Sequence, residues 1–129
     1  MWPPEVEEVA ALLRASGAEA RLEELAANEH DFPGTGVSVY AFECDGRRVV
    51  TLVPAERNVD PRKLGCGELR PAVPPAFPFQ NTDVRLDRAL LGERTVWIHA
   101  GSQRHVLGIS PVQLARLVRA RTADVVAET

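Results

Sequence analysis

Two apolar runs joined by Asp45-Gly46 constrain this chain more than any other segment. Asp-Gly supplies the two residues that accept positive φ, which a tight turn between twisted antiparallel strands demands. Val37 to Cys44 is apolar on both alternating faces, the pattern of a central strand covered on either side. Arg47 to Val53 returns beside it as the partner strand. A hairpin of this kind excludes a purely parallel, doubly wound sheet.

The flanking segments supply helices and further strands. Pro3-Pro4 with Glu5, Glu7 and Glu8 opens a helix, because proline suits the first turn and acids favour the positive end of the dipole. Val6, Val9, Ala10 and Leu13 recur at helical spacing, and Gly17 stands where a C-terminal cap belongs. Ala20 to Leu25 fits a strand or a helix, and residues 28–36 are loop by composition. Asp60-Pro61 reads as N-cap and first residue of a short helix through Leu64. The prolines from Pro71 to Pro78 forbid regular structure and predict a stiff surface loop.

Val84 to Leu86, Thr95 to Ala100 and His105 to Ile109 read as strands, with a turn around Gly92. Ser110-Pro111-Val112-Gln113 is a capping box opening a helix whose Leu114, Leu117 and Val118 face inward. There is no internal repeat. The expected architecture is a single domain over residues 1–129, mixed α/β of the α+β kind, with helices packed on a mixed sheet.

Bulk properties exclude several function classes. A hydrophobic fraction of 45% supports a core without metal or disulfides. No apolar run approaches the ~20 residues that span a bilayer, and the opening Met1-Trp2-Pro3-Pro4-Glu5 predicts no secretory signal. Cys44 and Cys66 are too few for a disulfide framework and lack metal-ligand spacing. Cys44 reads as a small buried hydrophobe, and nothing near Cys66 would lower its thiol pKa. A reducing cytoplasm is the expected location. A formal net charge of −3 argues against a broad grip on nucleic acid, since phosphate neutralisation supplies most of that affinity. A local contact to an RNA end remains open.

Several blocks together resemble the YbaK/prolyl-tRNA synthetase-associated family. They are Phe42-Glu43-Cys44-Asp45-Gly46, Leu52-Val53-Pro54, Val59-Asp60, Val84 to Leu91, Val96 to Val106 with Ala100-Gly101-Ser102 at its centre, and Ser110-Pro111 with Leu114. The resemblance implies a barrel-like mixed sheet with flanking helices. It implies hydrolysis of the ester of mischarged aminoacyl-tRNA in a cleft, with no metal or organic cofactor. The family's lysine, at the start of the central strand, aligns with Ser38, and the second helix is missing between His30 and Val37. Of its Gly-x-x-x-Pro loop only Pro74-Pro75-Ala76-Phe77-Pro78 remains.

On this basis Ser38, Gly101 and Ser102 are the candidate catalytic positions. His30, Pro75, Arg104 and His105 are candidate contacts for the 3′ end of an aminoacyl-tRNA. Ester hydrolysis needs donors for the oxyanion, and backbone N–H groups at the Gly101-Ser102 turn can supply them. The alternative is that Gly101 permits a tight reversal and Ser102 is a solvated turn residue. In the deacylase reading the substrate supplies much of the chemistry, through the ribose hydroxyl beside the ester. Asp83 and Asp87 read as a loop residue and a cap rather than an acid/base pair. Arg104, Arg116, Arg119 and Arg121 are the basic concentration, with Arg116 and Arg119 on one helix face. A non-catalytic relative binding a ligand, an RNA end or a protein partner, or a homodimer anchored by Phe77 and Phe79, is the competing expectation.

Overall fold

A computed structural model describes residues 2–29 and 31–128. The hairpin forms as expected. Strand β2 (Val37–Cys44) pairs antiparallel with β3 (Arg47–Pro54) from Val37 opposite Pro54 to Cys44 opposite Arg47. Asp45 and Gly46 take φ of 52° and 82° at its tip. The doubly covered strand is β3, however, and not β2. Val49 to Pro54 are all buried, whereas in β2 only Val37 and Ala41 are buried and Tyr40 is exposed. The outer face of β2 opens instead onto a cleft.

The remaining elements are helix α1 (Pro4–Ser16), β1 (Ala20–Glu24), β4 (Leu69–Ala72), β5 (Asp83–Asp87), β6 (Val96–His99), β7 (His105–Ile109), α2 (Pro111–Val118) and β8 (Arg121–Ala123). The ambiguous Ala20 segment is therefore a strand; pairing with β7 settles what its glutamates left open. Pro71 lies inside β4, contrary to the expectation of irregular structure from Pro71 onward. β4 is an edge strand, where a missing N–H costs no ladder bond. Arg119 is not on the α2 face with Arg116. It ends the helix in the left-handed conformation (φ 56°), and Arg121 belongs to β8.

The strands form two sheets, ordered β1-β7-β6 and β4-β2-β3-β5-β8. The first is antiparallel; in the second β3, β5 and β8 run parallel. The architecture is mixed α+β, and the expected barrel is not closed. Among the described residues one isolated bridge, Gly36 to Trp97, links the sheets at this seam. Packing joins them otherwise. Leu52 and Leu86 from one sheet meet Ile98, Leu107 and Ile109 from the other, with Leu114 of α2, all at most 1% exposed. Each such side chain contributes about 1.5–3 kcal/mol on burial.

Caps fall where the sequence places them. Asp60 accepts from Arg62 N (3.1 Å) before the 3-10 turn Pro61–Leu64, and Ser110 accepts from Gln113 N (3.2 Å) at α2. Asp87 accepts from Ala89 N (2.9 Å) before a 3-10 turn over Arg88–Gly92. Asp83 pairs with Arg85 (3.3 Å) and Arg121 (3.2 Å). No helix among the described residues is long and apolar enough to cross a membrane.

The cysteines depart from expectation. Cys44 and Cys66 form a disulfide with their Cα atoms 5.3 Å apart. Pairing of β4 with β2 places Leu69 opposite Cys44, which brings the preceding loop and Cys66 alongside. Asp45, next to Cys44, accepts from Glu68 N (2.7 Å) and Gly67 N (3.1 Å), and these donors hold its carboxyl below the usual carboxylate range. Sequence distance concealed a contact that strand register creates.

Candidate functional site

A cleft of about 700 Å³ lies between the two sheets at the N-terminal end of β2. Ser38 and Tyr40 come from β2, two residues apart and so on one face. The loop after β4 forms one wall through Val73, Pro75 and Phe77, and β6 and its following turn form the other through His99, Gly101 and Ser102. The first turns of α1 cover one end with Glu5 and Glu8.

Phe77 and Phe79 pack edge-on at 5.6 Å between ring centroids, and Phe79 is only 3% exposed. Phe79 belongs to the core, while Phe77 is half-buried and lines the cleft. The peptide between Phe77 and Pro78 is cis. The cleft stays open above them.

The turn after β6 is the most constrained part of the site. Ala100 N donates to His105 O (3.1 Å), closing a loop over residues 100–105. Gly101 has φ 87°, and a Cβ there would lie 2.9 Å from Val6 N and Cα, so α1 approaches the turn as closely as glycine allows. That approach places Glu5 and Glu8, on either side of Val6, at the cleft. The amide N–H groups of Gly101, Ser102 and Gln103 have no acceptor among the described residues.

Beneath the turn, Ser102 Oγ accepts from Arg104 N (3.0 Å) and lies 2.7 Å from His105 Nδ1. His105 Nε2 faces Glu24 Oε2 at 3.7 Å, beyond hydrogen-bond distance, and has no partner among the described residues. The His105 side chain is 4% exposed, and Trp2 packs edge-on to it at 5.3 Å.

Of the positions singled out in the sequence, Ser38, Pro75, Gly101 and Ser102 meet in this cleft. His30 lies outside the described residues. Arg104 does not line the cleft. Its guanidinium donates to the carbonyls of Leu25 (2.7 Å), Glu29 (2.8 Å) and Ala26, pinning the loop after β1. Ser38 Oγ donates to Ala55 O at 3.4 Å. Asp83 and Asp87 are not at the cleft.

Glu5, Glu8, Phe32, Tyr40 and His99 also line the cleft and were not among the candidate site residues read from the sequence. The period-two step from Ser38 to Tyr40 was a usable signal. Nothing in the sequence announced that α1 would present its acids here. His99 lines the cleft, with its ring 4.8 Å from Phe32 and Nδ1 unpartnered. Burial pushes its pKa below the ordinary 6.5, against a smaller opposing effect of the main chain at His105. Glu5 and Glu8 are the charged side chains on the cleft; no lysine or arginine lines it. Such a surface attracts ammonium groups and repels phosphate.

No family model matches the chain, and no curated protein does. Solved structures do. A protein described as a candidate trans-editing enzyme for prolyl tRNA synthetase superposes with a TM-score of 0.81 at 22% identity, covering 99% of this chain and 100% of that one. A protein described only as hypothetical gives 0.79 at 19% identity over 93% of this chain and 99% of its own. A candidate signal transduction protein from Marinobacter aquaeolei VT8 gives 0.71 at 16% identity. That match covers 98% of this chain and 31% of the longer protein. At these identities the likeness is one of fold. The chain has the α+β fold of the trans-editing protein over nearly its whole length.

Proposed function

We propose that this chain is an aminoacyl-tRNA deacylase of the trans-editing kind, related to the YbaK/prolyl-tRNA synthetase-associated family. The observation that carries the reading is the Gly101–Gln103 turn, which lines an open cleft and whose amides have no acceptor among the described residues, in a fold shared with a candidate trans-editing enzyme. An ester carbonyl bound beside this turn would find backbone donors free to stabilise the oxyanion that develops on attack. Glu5 and Glu8 suit the α-ammonium of an aminoacyl group. The substrate would be the charged 3′ end of a tRNA and the location the cytoplasm, where thioredoxin and glutathione would hold Cys44 and Cys66 reduced.

Incubation of purified protein with Ala-tRNA(Pro), Cys-tRNA(Pro) and Ser-tRNA(Ala) tests this directly. Release of amino acid from at least one, above the buffer rate, is the expected result. Buffer-rate loss on all three rejects it.

One observation favours a second reading, a non-catalytic relative that binds a ligand or partner. Among the described residues no lysine or arginine lines the cleft, and Ser38, at the lysine position of the resembling family, spends its hydroxyl on Ala55 O. Ser38→Lys separates the two readings. Deacylation gained by the variant from a silent parent supports the binding module, and turnover by the parent rejects it.

A further inference from the structure

We infer that Tyr40 is the stacking platform for the terminal adenine of the tRNA, so that this cleft holds the RNA end by its base and not by its phosphates. The inference rests on the deacylase reading for its ligand and names how that ligand is gripped. Its ground is which side chains of the cleft are still uncommitted. Among the described residues no lysine or arginine lines the cleft, and its charged groups are Glu5 and Glu8, which repel phosphate. Phosphate neutralisation, the usual source of affinity for RNA, is therefore missing where the ester must sit. A ring face is what remains to hold a nucleotide.

Most rings of the cleft are already engaged. Phe32 packs with His99 at 4.8 Å and Phe77 with Phe79 at 5.6 Å between centroids. Tyr40 packs against no other aromatic ring among the described residues and is 38% exposed. Its backbone is fixed, because it pairs with Thr51 of β3, whose buried hydroxyl donates to Tyr40 O at 3.0 Å. On the other side the β2–β4 ladder ends at Ala41 opposite Ala72. Val73, the next residue and 81% exposed, therefore leaves the sheet at the level of Tyr40. With Pro74 and Pro75 it makes an apolar lip to the cleft. A tyrosine displayed from a strand loses little freedom on binding, and every base offers a π-face to it. Tyr40 also lies one step along the strand face from Ser38, about 7 Å away, beside the position aligned with the lysine of the resembling family.

Tyr40 is the chain's one tyrosine, so its ring resonances are identified without further assignment. The full chain carrying isotope-labelled tyrosine is titrated with the uncharged RNA tetranucleotide ACCA. Stacking should move the Tyr40 ring protons upfield, and an ACC oligonucleotide ending in an abasic ribose should not. Tyr40→Ala should weaken ACCA binding, followed through amide shifts, by about 5- to 150-fold, the range for losing one base–aromatic stack. Tyr40→Phe should restore it, because the ring and not the hydroxyl makes the contact. Raising salt from about 50 to about 200 mM should weaken binding by less than about threefold, the change that a single phosphate contact would give. An unmoved Tyr40, an affinity unchanged in Tyr40→Ala, or a larger salt dependence overturns the stack. Where the parent still frees amino acid from tRNA, the deacylase reading stands without it. A shifted Tyr40 in a chain that deacylates none of the three aminoacyl-tRNAs upholds the stack and rejects the deacylase reading.

Discussion

The carboxylate of Asp87 collects three backbone donors: Ala89 N (2.9 Å), Val125 N (2.9 Å) and Val126 N (3.2 Å). It caps one turn and fastens the C-terminal segment, and it is 2% exposed. Asp87→Ala would strand buried N–H groups, so a loss of about 2–5 kcal/mol is expected in urea unfolding. The capping role was readable from Asp87 and the turn that follows it. The bonds to Val125 and Val126 were not, because 38 and 39 residues separate the partners. His99 makes a second prediction at this scale. Burial lowers its folded pKa below 6.5, so above that value both states are neutral and its contribution to stability is complete. Below it the unfolded chain takes the proton first, and stability falls as pH drops through the folded pKa. His99→Phe should flatten the change in urea midpoint between about pH 7.5 and about pH 5.5. An unchanged slope would remove His99 as its source.

Among the elements, those with local signals were legible and those made by long-range pairing were not. The Asp45-Gly46 hairpin and the Asp60 and Ser110 caps follow from neighbours in the chain. Strand β8 has three residues and no apolar alternation; it exists because Arg121, Thr122 and Ala123 lie parallel to β5. The end of α2 offers a test. Arg119 holds φ 56° as the helix cap, a conformation that costs a side chain about 1–2 kcal/mol. Arg119→Gly should therefore raise stability by about 1 kcal/mol, seen as a higher unfolding midpoint. At the other key turn the same geometry works in reverse. Gly101→Ala would press a methyl against Val6 N and Cα, and α1 should lose hydrogen-exchange protection as it is pushed off.

Over the whole molecule, the sequence resemblance carried the architecture further than it carried the site. Helix and strand order, the mixed sheet and the position of the Gly101 turn all follow the expected scaffold. The acids of α1 and the burial of His105 depend on how the sheets meet, and residue patterns do not encode that meeting. The disulfide belongs to this scale as well. It closes a separation of 22 residues, which in the chain-entropy account is worth about 3 kcal/mol. The oxidised chain should lose roughly that amount on adding reductant, whereas Cys44→Ala/Cys66→Ala should not respond. Equal midpoints for the parent with and without reductant would show that the loop is held by β4 alone.

The lone Gly36–Trp97 bridge leaves the gap above Ser38 without a ladder to hold its jaws at a set spacing. Leu52 and Leu86 against Ile98 and Leu107 act as shims between two plates, and their summed bulk decides how wide the mouth stands. Trimming or thickening one shim far from any reacting atom would therefore retune which guests the chain admits.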